Sequence, residues 1–131
     1  MSIVLDTCTF KDLNLLPENS PVYRAVAWHL EYNYCYVTTI VAAEIYREIR
    51  DSISLQRAEN ALAMIKNGRP VQIADDRGLV DLAIEARDLG LSWIAAFTAA
   101  LAHAYDCPIL TNDTDFDAAV EAGFCEVKHY P

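Results

Sequence analysis

Apolar positions along this chain fall into two kinds of run. Short dense ones, Ile3 to Asp6, Tyr36 to Thr38, Pro70 to Ala74, Ile109 to Thr111 and Cys125 to Lys128, are separated by longer stretches whose apolar residues recur every three or four positions. The first kind predicts buried strands and the second amphipathic helices. Ser20 followed by Pro21 opens a helix to about Asn33, with Val22, Val26 and Leu30 in step. Thr38 or Thr39 caps the next, which runs to about Arg50 with Val41, Ile45 and Ile49 on one side and Glu44 in its first two turns. Ser54 caps a third, Leu55 to Asn67, stopped by Gly68 and Pro70. Leu79, Leu82, Ala83, Ala86 and Leu89 form a stripe opposite Asp81, Glu85 and Asp88, and Gly90 ends that helix. Ser92 caps Trp93 to Tyr105, which is apolar on nearly every side and is expected to run through the middle of the structure. A short helix, Phe116 to Ala122, precedes the last strand. The segment from Asp6 to Ser20, with Pro17, reads as a loop. Strands alternating with helices predict an α/β fold of the doubly wound class, a parallel sheet covered on both faces.

Composition narrows the class. The chain has 131 residues, 53% hydrophobic and 22% charged, which predicts one globular domain over residues 1–131 with a core that needs no disulfides. The longest apolar stretch, Trp93 to Ala102, is interrupted only by Thr98 and is too short to span a bilayer. No basic region followed by a long apolar core opens the chain, so a cytoplasmic protein without membrane contact is expected. Cys8, Cys35, Cys107 and Cys125 are scattered singly, and read as small buried thiols rather than as disulfides or a zinc site. His29, His103 and His129 lack ligand spacing as well, and His103 reads as structural. The net charge of −9 is opposite to the usual footprint of a nucleic-acid binder. Local patches containing Arg47, Arg50, Arg57 and Arg69 could still steer a polyanion, and the charge also suits a basic partner segment. Trp28, Tyr32 and Tyr36 are assigned to core packing or a homodimer surface rather than to base stacking.

The candidate chemistry lies in the acids. Asp6 follows the first apolar run and Asp113 the fourth, so both belong at the carboxyl edge of a parallel sheet, where open α/β folds place ligands. Crowded carboxylates call for a cation, and hard oxygen donors suit Mg²⁺ or Mn²⁺. Each acid also has a plainer reading: Asp6 as a cap, Glu44 as a helix-surface charge, Asp113, Asp115 and Asp117 as caps or dipole partners of the helix that follows. Other phosphate chemistries fit less well. A dehalogenase-like phosphatase would want an acid two positions after Asp6, where Cys8 stands. A receiver domain would want paired acids near the first strand to accompany a late lysine such as Lys128. Four glycines build no phosphate-cradling loop.

Three segments in order, Leu5-Asp6-Thr7-Cys8, Val41-Ala42-Ala43-Glu44-Ile45-Tyr46 and Leu110-Thr111-Asn112-Asp113-Thr114-Asp115-Phe116, resemble the PIN domain, the metal-dependent ribonuclease fold of VapC-type toxins. The resemblance covers nearly the whole chain and implies a three-layer α/β/α architecture around a central, mainly parallel sheet. It implies that Asp6, Glu44 and Asp113 hold Mg²⁺ or Mn²⁺ and orient a water for attack on an RNA phosphodiester. Thr7, Thr111, Asn112 and Asp115 would support these groups or meet the substrate. The implied partners are RNA, an antitoxin whose basic tail places an arginine in the acidic cleft, and a second copy in a homodimer. Two positions depart from the pattern. Ala95 stands where the family has a further aspartate, and Cys8 replaces the usual Asn or Ser. Asp88 lies on the far side of Gly90, whereas Asp115 and Asp117 are nearer substitutes. Two functions stay open: an endoribonuclease, and a degenerate PIN domain that binds RNA or protein without hydrolysis.

Overall fold

The computed structural model describes residues 1–68 and 70–130, so Arg69 of the expected basic patches lies outside the described residues. The strands are β1 (Ser2–Leu5), β2 (Tyr34–Val37), β3 (Val71–Ile73), β4 (Ile109–Leu110) and β5 (Val127–Lys128). The helices are α1 (Thr7–Leu15), α2 (Pro21–Tyr32), α3 (Thr39–Ser52), α4 (Leu55–Lys66), α5 (Val80–Asp88), α6 (Trp93–Tyr105) and α7 (Asp117–Glu121), with a 3₁₀ turn at Arg77–Leu79 before α5. The five strands form one sheet in the order β3-β2-β1-β4-β5, and every neighbouring pair is parallel. The expected doubly wound α/β architecture is therefore present, with the sheet parallel throughout.

The strand pleat divides the core into two layers. Ile3 and Leu5 of β1, with Cys35, Val37, Val71 and Leu110, face helices α1 to α4 through Phe10, Val26, Ile45, Ile49 and Ile65. Val4, pointing the other way, packs with Ile109 against Ala83 and Ala86 of α5 and Ala96, Ala99 and Ala100 of α6. Successive side chains on opposite faces are what a strand buried on both sides requires, and explain why β1 is continuously apolar. Each fully buried Ile, Leu or Phe stabilises the fold by about 1.5–3 kcal/mol relative to exposure.

One expectation is corrected. Residues after Asp6 form helix α1, not a loop. Thr7, Cys8 and Thr9 are weak helix formers, which hides the element locally. Tertiary burial overrides that preference: Thr9 and Phe10 are fully buried, and Asp6 caps the helix by accepting from the Thr7 amide at 2.8 Å. The chain then reaches Pro21, where Ser20 caps α2 as expected. Helix α6 is deeply buried as expected: no residue from Ile94 to Ala102 is exposed, and only its ends, with Trp93 and Tyr105, are exposed. Trp28 and Tyr32 are likewise exposed and lie side by side, their rings tilted at 42° with centroids 5.1 Å apart. Only Tyr36 of that aromatic group joins the core. Of the cysteines, Cys35 and Cys125 are buried and their thiols are pushed up to about 12 and about 11 by burial. Cys8 and Cys107 are only half-buried. His103 has the expected structural role: its Nδ1 meets the Phe124 carbonyl oxygen at 2.8 Å and its ring stacks on Phe124. Among the described residues no helix is long and apolar enough to cross a membrane.

Candidate active site

The chain leaves β1 for β2 on one side of the sheet and later returns to β4 on the other side of β1. Strand order reverses at that junction, so the carboxyl ends of β1 and β4 diverge and leave a crevice between the segments that follow. Asp6 directly follows β1 and Thr111 directly follows β4. Two short parallel strands, in register at Val4 with Ile109 and Leu5 with Leu110, thus bring together groups 105 residues apart in sequence.

Asp6 is the hub of the polar network. Its Oδ1 accepts from the Thr7 amide at 2.8 Å. Its Oδ2 accepts from Thr111 Oγ1 at 3.0 Å and from the Cys8 thiol at 3.3 Å. Thr111 Oγ1 in turn accepts from the Asp113 amide at 2.9 Å. Asp113 Oδ1 accepts from the Asp115 amide at 3.2 Å, which folds the strand-end loop back on itself. The backbone behind Thr111 is pinned by the last strand: its amide donates to the Lys128 carbonyl at 3.1 Å, and its carbonyl lies 2.9 Å from His129 Nδ1. Capping is therefore a true role of Asp6, but it uses one oxygen and leaves the other directed to the β4 loop.

A cleft of 280 Å³ opens above this network, lined by Asp6, Thr7, Cys8, Glu44, Asp113 and Asp115 together with Lys11, Glu48, Ser92, Ile94 and Ala95. Glu44 reaches it from the second turn of α3, whose start is set by Thr38 capping the Val41 amide at 3.1 Å. Ala95 reaches it from the first turn of α6, where the Ser92 hydroxyl accepts from its amide at 3.3 Å. Thr111 is fully buried beneath the acids. Asn112 stands to one side: it borders a neighbouring hollow with Cys8, Asp113 and Thr114, and its Oδ1 accepts from the Tyr130 amide at 3.1 Å. Asp117, in the first turn of α7, and Asp88, at the end of α5, are not among the residues lining the cleft.

Charge is crowded in this cleft. Burial pushes the Asp6 carboxyl above its ordinary range, the hydrogen bonds from Cys8, Thr111 and Thr7 oppose that, and the charge of Asp113 adds to it. Asp115 is raised by burial, by its hydrogen bond and charge interaction with Asp113, and by Asp6. The Cys8 thiol is raised by burial first and by the Asp6 charge next. Lys11, the one basic group in the lining among the described residues, is already paired with Glu48 Oε2 at 3.1 Å. Neighbouring carboxylates repel one another, and a cation between them relieves that repulsion. Among the described residues no three His, Cys, Asp or Glu side chains stand ready-formed as a ligand set for an ion. The donors are carboxylate oxygens, the kind that suit a hard divalent cation.

Lys11 and Glu48 went unnoticed in the sequence because the helix carrying Lys11 did. The available signal was Phe10 and Leu13, three apart behind a capping aspartate, a pattern too brief to outweigh the threonines.

Comparison with known proteins follows this geometry. The model of the family described as PIN domain matches residues 3–121. No curated protein matches the chain in sequence. Among solved structures, VapBC2 from Rickettsia felis, bound to a promoter DNA fragment, is similar over 100% of both chains, with 18% identity and a TM-score of 0.72. VapC20 from Mycobacterium tuberculosis, a sarcin-ricin loop cleaving toxin, is similar over 89% of this chain and 94% of its own, with 17% identity and a TM-score of 0.69. FitAcB from Neisseria gonorrhoeae is similar over 95% of each chain, with 20% identity and a TM-score of 0.65.

Proposed function

The chain belongs to the PIN domain family, and from that premise we propose that it is a divalent-metal-dependent endoribonuclease of the toxin type, hydrolysing RNA phosphodiesters in the cleft beside Asp6. The observation that carries this reading is the meeting of Asp6, Glu44, Asp113 and Asp115, drawn from three separate stretches of chain, around one cleft at the sheet's switch point.

In this reading Asp6, Glu44 and Asp113 hold Mg²⁺ or Mn²⁺. When bound, such an ion would supply a water of lowered pKa and would offset the charge that develops at the pentacoordinate phosphorus. The protein's own groups do the rest. Thr111, hydrogen-bonded to both Asp6 and the Asp113 amide, holds the two strand ends in fixed relation. Thr7 fixes Asp6 from the other side through its amide. Asp115, whose carboxyl is raised, lines the same cleft beside Asp113 and is the nearer candidate for the acid missing at Ala95. Asn112 holds the loop against Tyr130. The protein is proposed to act in the cytoplasm.

The second reading, a degenerate PIN domain that binds without hydrolysis, is favoured by one observation. The buried Ala95 faces the cleft at the turn of α6 where the family carries an acid. The two readings are separated by titration calorimetry with Mn²⁺ alongside cleavage of a labelled RNA. The nuclease reading expects saturable Mn²⁺ binding that Asp6→Asn abolishes, and cleavage that EDTA stops. Mn²⁺ binding without cleavage across varied RNAs supports the degenerate module.

A similar solved structure is a toxin-antitoxin complex from Klebsiella pneumoniae, and the acidic cleft is suited to a guanidinium bridging two carboxylates. The proposed partner is an antitoxin with a basic tail, whose arginine occupies the cleft in place of the ion. The exposed Trp28 and Tyr32 are the surface proposed for a homodimer. Pull-down from the native cell should return a small basic-tailed protein, and recovery of the free chain alone under several growth conditions argues against it.

A further inference from the structure

The β4–β5 ladder breaks off just past β4 by a swap of partners. In a parallel pair the bonds are evenly spaced, so a residue that gives its amide to one partner carbonyl takes, at its own carbonyl, the amide two residues further along that partner. The Thr111 amide donates to the Lys128 carbonyl at 3.1 Å, and the Thr111 carbonyl is therefore due the Tyr130 amide. That bond is replaced. The Tyr130 amide turns instead to Asn112 Oδ1 at 3.1 Å, and the Thr111 carbonyl is met by His129 Nδ1 at 2.9 Å. A carbonyl only accepts, so Nδ1 carries the hydrogen. Two side chains, one from each strand end, thus stand in for one ladder bond. The chain after Thr111 then bends at once: the Asp113 amide reaches back to Thr111 Oγ1 at 2.9 Å, a two-residue turn that an extended strand cannot make. Asp113 lines the cleft. His129 is itself exposed while Thr111 is fully buried, so covering the core does not require the contact.

We propose that His129 is a positioning residue for Asp113. By holding the Thr111 carbonyl with its imidazole, it leaves the Tyr130 amide to Asn112 and keeps the segment from Thr111 to Asp113 turned out of the sheet and into the cleft. The inference rests on the nuclease reading for the chemistry that Asp113 performs. His129 is not among the residues lining the cleft, so it acts through Thr111 and not on a substrate. Thr111 is the right residue to act through, because the same threonine bonds Asp6 Oδ2 with its hydroxyl. A ladder completed by Tyr130 would instead extend β4 along β5 and undo the turn that carries Asp113. Both the neutral Nδ1–H tautomer and the imidazolium donate from Nδ1, so the tie holds in either protonation state.

The test uses the full chain and three variants of one position. Asn carries its amide nitrogen where Nδ1 stands, Gln carries it one carbon further out, where Nε2 stands, and Ala has no donor. Native-state hydrogen exchange followed by NMR compares the Asp113 amide with the Val4 amide, which donates to the Pro108 carbonyl at 3.0 Å within the sheet and reports general stability. His129→Ala and His129→Gln should speed exchange at Asp113 several-fold and leave Val4 unmoved, and His129→Asn should restore the slow rate. A merely structural contact would speed both amides together or give Asn no advantage over Gln. Either result, or an Asp113 rate unmoved by His129→Ala, overturns the proposal. Mn²⁺ calorimetry on the same proteins keeps the two ideas apart. Affinity that falls several-fold in the Ala and Gln variants and is kept in the Asn variant supports positioning, whereas faster exchange at Asp113 with Mn²⁺ affinity unmoved strikes the positioning role alone. Mn²⁺ binding absent from the unmodified protein strikes the nuclease reading, and the exchange pattern still decides whether His129 places Asp113.

Discussion

Thr111 Oγ1 donates to Asp6 Oδ2 at 3.0 Å while accepting from the Asp113 amide at 2.9 Å, so one buried hydroxyl couples the acid after β1 to the loop after β4. The hydroxyl donates once and accepts once here, and Cys8 Sγ lies beside it at 3.5 Å. Thr111→Val keeps the shape and removes both bonds. It should lower unfolding stability by about 1–3 kcal/mol, the cost of leaving buried polar groups unpaired, seen as a lower urea midpoint at unchanged slope. Mn²⁺ affinity should fall as well, because Asp6 and Asp113 lose their common tether.

The pH dependence follows from burial of Asp6. Its folded pKa is raised, so the folded state holds the proton more tightly than the unfolded chain. The stabilising contribution is complete below the unfolded value near ~3.9 and is lost as pH rises through the folded value. The raised Asp115 adds in the same direction. Metal-ligating carboxylates must be deprotonated, so the rise in melting temperature produced by Mn²⁺ should be large at pH 7 and fade as pH falls through the raised range of the two acids. Calorimetric scans with Mn²⁺ and with EDTA over this range measure the difference, and a pH-independent Mn²⁺ effect would exclude Asp6 as a ligand.

Ala95→Asp restores an oxygen donor to a cleft-lining position in the first turn of α6, where a negative charge meets the helix amino end favourably. The fold should tolerate it. Mn²⁺ affinity should rise, and ribonuclease activity should increase by an order of magnitude or more, about 1.4 kcal/mol of barrier for each factor of ten. Cleavage by the unmodified protein as fast as by the variant would mean that Asp115 already fills the role.

Tyr130 tests the support behind the site. It is 4% exposed, its hydroxyl donates to Asp12 Oδ2 at 2.6 Å, and its amide donates to Asn112 Oδ1. The chain end thereby ties α1 to the loop carrying Asp113. Burial, and next the Asp12 hydrogen bond, hold its phenol far above the ordinary range. Tyr130→Phe keeps the packing and should cost about 1.5–3 kcal/mol, the range for a hydrogen bond to a charged group, measured by denaturant unfolding.

By itself, the sequence determined the elements whose signals are local. Ser20, Ser54 and Ser92 cap helices where their side chains meet amides three residues on, and the apolar runs became strands of one parallel sheet. The same locality placed Asp6 and Asp113 at strand ends and Ala95 in the first turn of α6. Tertiary structure alone decided the rest, because the deciding contacts join residues far apart in the chain. Helix α1 forms against its own propensity because Phe10 is buried under the sheet and Thr9 Oγ1 donates to the Leu110 carbonyl at 2.7 Å, a partner 101 residues away. Thr111 became the bridge to Asp6 only when β4 paired with β1. Lys11 and Glu48 met because α1 packs beside α3 across the cleft mouth. Periodicity and capping are properties of a few consecutive residues, whereas the pairing of strands at a switch point is a property of the whole chain, and the chemistry of this cleft depends on that pairing.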